Sequence, residues 1–118
     1  MSHTDGDRSH ITTHVLDTGT GRPASGVRAT LERRSASGWQ EVASGTTDGD
    51  GRISQLGPAS VEAGTYRITF DTGAYFGTSG TETFFPEVVL SFVVADVEQH
   101  YHVPLLISPF AYSSYRGS

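Results

Sequence analysis

The chain has 118 residues, which fits one domain with a core of useful size. It has no cysteine, which excludes a disulfide framework, a thiol nucleophile and any cysteine metal site. Its net charge is -5, and its 8 basic residues are all Arg and scattered, so the basic stripe of an electrostatic nucleic-acid binder is missing.

Residues 1–9 are polar and rich in Gly, Asp and Ser, and read as a disordered leader ahead of one domain over 10–118. The leader lacks the apolar stretch of a secretory signal, and the chain end is not a peroxisomal address, so a cytoplasmic protein is expected. From residue 10 onward, turn signals recur every eight to twelve residues between short alternating runs, the spacing of a β-sandwich. In 10–16, Ile11, Thr13 and Val15 share one face, and Thr12, His14 and Leu16 the other. The stretch from Thr18 to Pro23 breaks that run. In 27–33, Val27, Ala29 and Leu31 point inward, then a hairpin turn over 35–38 leads back along 39–44. Asp48-Gly49-Asp50-Gly51 is a strong turn signal, and Arg52-Ile53-Ser54 leaves it as a short strand. Residues 64–70 alternate again with Tyr66, Ile68 and Phe70 on one side, and 72–78 is the one plausible helix. Pro86 opens a strand over 87–94, 99–108 is the longest β-like run, and 111–116 closes the chain. Pro104 sits uneasily inside the 99–108 run, because proline suits edges and bulges better than central strands. The sum is an all-β sandwich of about eight strands with one short helix. No apolar run is long enough to span a bilayer, so no membrane is expected as a partner.

Histidine supplies the chemistry. Of the 5 present, His14, His100 and His102 lie in expected strands. His100 and His102 share a face, ~7 Å apart on an extended chain. His14 and His102 both point away from the core side of their strands, each next to a Leu (Leu16 and Leu106). A half-apolar outer face carrying imidazoles suggests a second buried surface, such as a subunit interface. Zinc is the rival reading, since His-x-His plus a third His is a metal-ligand arrangement. No carboxylate shares the face, and neutral imidazole serves acid–base work equally well, so no metal and no cofactor are expected. Asp48 to Gly51 does not continue as a calcium loop, because Arg52 and Ala59 occupy ligand places. Arg52 itself follows a tight turn and is held by rigid backbone. No Gly-x-Ser-x-Gly elbow occurs, and Gly19-Thr20-Gly21 precedes a strand and so is not a phosphate cradle.

These residues together resemble a known family. Ile11-Thr12-Thr13-His14-Val15-Leu16-Asp17, the following Gly21-x-Pro23-Ala24, Asp50-Gly51-Arg52-Ile53 and Phe84-Phe85-Pro86-Glu87-Val88 resemble the motifs of the transthyretin-related proteins. The stretch from His100 to Pro109 and the closing Tyr115-Arg116-Gly117-Ser118 resemble the enzyme branch, whose members hydrolyse 5-hydroxyisourate. The likeness covers residues 10–118 and departs from the family's usual residues at Ile107, Phe110, Ala111 and Ser114.

The resemblance implies a transthyretin-like two-sheet sandwich and a homotetramer, with active sites in a central channel. It also implies metal-free opening of the ring of 5-hydroxyisourate, a product of uric acid oxidation, to 2-oxo-4-hydroxy-4-carboxy-5-ureidoimidazoline. His14, Arg52, His102 and the terminal tetrapeptide are then expected to line the site. His102 or His14 acts as the base while the other polarises or protonates the ring, and Arg52 clamps the oxyanion. Tyr115, Arg116 and the backbone at Gly117 bind ring edges, and Ser118 orients water. The alternative is a transthyretin-like small-molecule carrier without turnover.

Overall fold

The computed structural model describes residues 8–117; residues 1–7 of the expected leader and Ser118 lie outside the described residues. Ser9 is already buried. Its hydroxyl donates to Ile11 O and its backbone N–H to Ser54 O.

Among the described residues there are nine strands and one helix. They are β1 (Ile11–Asp17), β2 (Arg22–Pro23), β3 (Arg28–Ser35), β4 (Gly38–Thr46), β5 (Arg52–Ile53), β6 (Gly64–Phe70), α1 (Thr72–Gly77), β7 (Val88–Val94), β8 (Tyr101–Ser108) and β9 (Ala111–Ser114). One sheet has five strands in the order β2-β1-β8-β9, with β5 also paired to β1; the other has four in the order β4-β3-β6-β7. β1 and β8 run parallel, and the other pairs are antiparallel.

The alternation read from sequence explains the layers. Ile11, Val15, Leu105 and Ile107 of one sheet meet Ala29, Leu31, Ile68 and Phe70 of the other, all at or below 1% exposure. The stabilisation is that of apolar area removed from water, about 25 cal/mol per Å². α1 starts where Asp71 caps it, its carboxylate accepting from Ala74 N–H at 3.0 Å.

Two details differ from expectation. The break over 18–23 contains the short strand β2, which folds back so that Pro23 faces Leu16 and Arg22 faces Asp17. At this sheet edge the missing N–H of Pro23 costs no ladder bond. The last strand stops at Ser114, two residues before the expected end.

Pro104 accounts for that early stop. Backbone groups of even-numbered β8 residues face β9: His102 O accepts from Gly117 N–H at 2.9 Å, and Pro104 O accepts from the Ser114 hydroxyl at 2.7 Å. The register that pairs Leu105 with Ser114 also pairs His102 with Gly117. Pro104 therefore falls opposite Tyr115, where it has no N–H to give. The ladder opens there and closes again at Gly117.

Candidate active site

The site is built on the outer face of the five-stranded sheet, from three neighbouring strands. Across β1 and β5, His14 is the direct partner of Arg52; across β1 and β8, Thr12 is the direct partner of His102. Directly opposed residues project to the same face. Thr12 and His14, two apart on β1, therefore share it with Arg52 and His102. His14 and His102 have ring centroids 6.5 Å apart at 33°, and His100 and His102 are 6.5 Å apart at 19°. A cleft of ≈ 150 Å³ is lined by Thr12, Arg52, His100 and His102, with Arg8 at its side.

Arg52 reaches this face because the preceding turn is tightly specified. The Asp48 carboxylate accepts from the N–H groups of Asp50 (2.8 Å) and Arg52 (3.0 Å). The bond from the Arg52 N–H, then that from Asp50, holds the Asp48 carboxyl below its usual range. Gly51 is at φ +76, and a Cβ there would lie 2.4 Å from Val15 O. Only glycine satisfies both the positive φ and the close approach. The turn docks on β1 through Val15 N–H to Gly51 O at 2.7 Å.

His102 is half-buried. Burial is the main influence lowering its pKa below the ordinary 6.5, and the nearby His100, His14, Arg52 and Arg8 push the same way. The ring is therefore neutral at pH 7. Its Nδ1 lies 2.8 Å from Thr12 Oγ1, leaving Nε2 without a hydrogen-bond partner among the described residues. Gly117 closes over the ring: a Cβ at 117 would lie 2.6 Å from His102 Cδ2, so the backbone can come this close only without a side chain.

The fold thus brings together His14, Arg52, His102 and Gly117, with His100 beside them. Of the expected residues, Arg52 and His102 line the cleft itself, while His14 stands outside its lining, next to His102. Tyr115 is 62% exposed and lines a larger groove of ≈ 430 Å³ against β7. The Arg116 guanidinium donates to Gln99 Oε1 at 2.7 Å and stacks 4.5 Å above the Tyr101 ring. Ser118 lies outside the described residues. Thr12 was not singled out from sequence, although the alternation already put it on the face of His14. Among the described residues, no group of three or more His, Cys, Asp or Glu is arranged to hold a metal ion. Nor is any helix among them long and apolar enough to cross a membrane.

Comparison with known proteins places these residues in context. A model described as the HIUase/Transthyretin family matches residues 11–117. The 5-hydroxyisourate hydrolase of Salmonella typhimurium is 47% identical over 109 residues, covering 92% of this chain and 80% of that relative. That of Mus musculus is 43% identical over 115 residues, covering 95% and 98%. The solved structure of Klebsiella pneumoniae 5-hydroxyisourate hydrolase superposes with a TM-score of 0.82 at 39% identity, covering 92% of this chain and 98% of that one. Sea bream transthyretin, solved in complex with thyroxine, gives a TM-score of 0.84 at 32% identity, covering 91% and 93%.

Proposed function

The chain belongs to the HIUase/transthyretin family, and from that membership and the chemistry of its outer face we propose that it hydrolyses 5-hydroxyisourate. The fold alone does not separate a hydrolase from a carrier, since members of both kinds superpose almost equally well. The side chains separate them. The observation that carries the reading is a neutral imidazole, a second imidazole and a guanidinium on one sheet face. A carrier has no use for that set, whereas ring opening needs each member.

His102 is the base. Its Nδ1 is engaged by Thr12 and its ring is neutral at pH 7, so Nε2 is the atom that takes a proton from water. The resulting hydroxide adds to a ring carbonyl. Arg52, opposite His14, holds the negative charge that builds on the carbonyl oxygen through its planar fork. His14, beside His102 on the same sheet face, polarises the ring. Collapse of the tetrahedral adduct breaks the C–N bond of the cyclic amide, and the leaving nitrogen takes up a proton.

The chain end completes the frame. The backbone at Gly117, bridged to His102, meets a ring edge, and by the family resemblance Ser118 orients the water. Tyr115 and Arg116 bind ring edges, and for Arg116 this requires its contacts with Gln99 and Tyr101 to open.

The same reading includes a cytoplasmic homotetramer. The tetramer is supported by exposed apolar side chains on the edge strands of both sheets, Val89 (40%) and Val93 (61%) on β7 and Tyr112 (42%) on β9. Light scattering tests the tetramer, and cell fractionation tests the location.

The test of function is the ultraviolet decay of freshly made 5-hydroxyisourate with and without protein. Decay well above the spontaneous rate is expected. Saturable binding of an aromatic ligand with unaltered decay would instead identify a carrier.

A further inference from the structure

Thr12 stands between two imidazoles. Its hydroxyl oxygen is 2.8 Å from His102 Nδ1 and 3.2 Å from His100 Nε2. It is also 5% exposed, which shields it from bulk water. A hydroxyl has one proton to donate. When His102 keeps Nε2 bare for water, its Nδ1 must carry the proton and donate it to Thr12 Oγ1. The Thr12 hydroxyl then donates to His100 Nε2, and His100 holds its own proton on Nδ1. The whole line is set to move a proton in one direction.

From this geometry we infer that Thr12 and His100 form a proton relay behind His102, so that the proton taken from water is held on His100. The inference rests on the hydrolytic reading above. As water attacks the ring carbonyl, its O–H bond breaks and the proton joins His102 Nε2. The Nδ1 proton of His102 passes to Thr12 Oγ1, and the Thr12 hydroxyl proton passes to His100 Nε2. His102 is neutral again with its proton on Nε2, and His100 is an imidazolium. When the C–N bond breaks, the Nε2 proton goes to the leaving nitrogen. In the same event the two relay transfers run in reverse, returning the proton from His100 through Thr12 to His102 Nδ1. One water is consumed and no proton is left over.

Such a relay lets one imidazole act first as base and then as acid while the charge rests one ring farther along, on His100. That suits the surroundings of His102: His14 on β1, Arg52 on β5, Arg8 ahead of β1 and His100 one residue ahead of β8. Every one of these groups is cationic or can become so, and a proton resting on His102 would meet them all. Thr12 and His100 are positioning residues in this scheme, acting only through His102.

The test compares Thr12→Val, Thr12→Ser and His100→Gln in 5-hydroxyisourate turnover, with tetramer content and circular dichroism measured alongside. Valine keeps the shape of Thr12 without its hydroxyl, serine keeps the hydroxyl, and glutamine can accept the Thr12 hydrogen bond but cannot titrate. The relay expects Thr12→Val and His100→Gln each to lower kcat by about tenfold or more, with KM within about twofold. Thr12→Ser should restore most of the rate. The acid limb of kcat/KM should move toward pH 6.5 in His100→Gln, because a positive neighbour of His102 is gone. A His100→Gln enzyme with wild-type kcat and an unmoved limb overturns the relay and reduces Thr12 to a support for the ring. A wild-type protein that leaves 5-hydroxyisourate decay unaltered overturns instead the hydrolytic reading on which the relay rests.

Discussion

The two faces of the β1–β8 pair are drawn from alternate residues of the same two strands, and they do different work. The inner face carries Ile11, Val15, Leu105 and Ile107, all essentially without exposure. The outer face carries Thr12, His14 and His102, and β5 adds Arg52 beside them. One face is held by apolar burial; the other carries hydrogen bonds, and there burial, followed by cationic neighbours, lowers the pKa of His102. The lesson is that a single register builds both. A slip of one residue would send the imidazoles into the core and the leucine and isoleucines to the outside. The forces that fix the core therefore also set His14, Thr12 and His102 on one face, to which the 48–51 turn adds Arg52 and the chain end adds Gly117.

If that division holds, substitutions should sort by face. The largest effect belongs to the chain end: a protein lacking residues 115–118 should lose measurable turnover while circular dichroism still shows a folded sandwich. A truncated chain that turns over normally would remove the terminus from the outer-face site. Arg52→Ala comes next, lowering kcat by about 10²- to 10³-fold, the usual loss for one oxyanion donor, with little change in melting temperature. Leu105→Ala tests the inner face. It should cost ~2–5 kcal/mol in denaturant unfolding while turnover per folded molecule stays near wild type. A stable Leu105→Ala protein with lost activity would show that the faces are not separable.

The smallest effect is a matter of pH. Protonated His102 cannot accept a proton, so activity is present above its pKa and lost as pH falls through it. Because burial and positive neighbours set that pKa below 6.5, the falling limb of kcat/KM should lie on the acid side of 6.5. A limb on the alkaline side of that value would mean a different base.

Most of the strands were legible, because half-buried strands alternate and the punctuating residues are glycine, proline and aspartate. The outer-face positions of His14 and His102 followed from the same alternation. The pairing of His14 with Arg52 and of Thr12 with His102 did not. It depends on partners about ninety residues apart in the β1–β8 case, and no local pattern encodes such a parallel register. The role of Thr12 was hidden for that reason. The capture of Arg116 by Gln99 and Tyr101 was hidden too, since it depends on the path of the chain after Pro104 interrupts the ladder. The approach of Gly117 to His102 could be anticipated only through the family's terminal tetrapeptide.

The most direct measurement is the turnover of His102→Ala against wild type, each at the same concentration of folded protein. Loss of a positioned general base should lower kcat by about 10²- to 10⁴-fold while the melting temperature stays close to that of the parent. A folded His102→Ala protein that hydrolyses 5-hydroxyisourate at nearly the parental rate would contradict the assignment of the chemistry to the outer face of the β1–β8 pair.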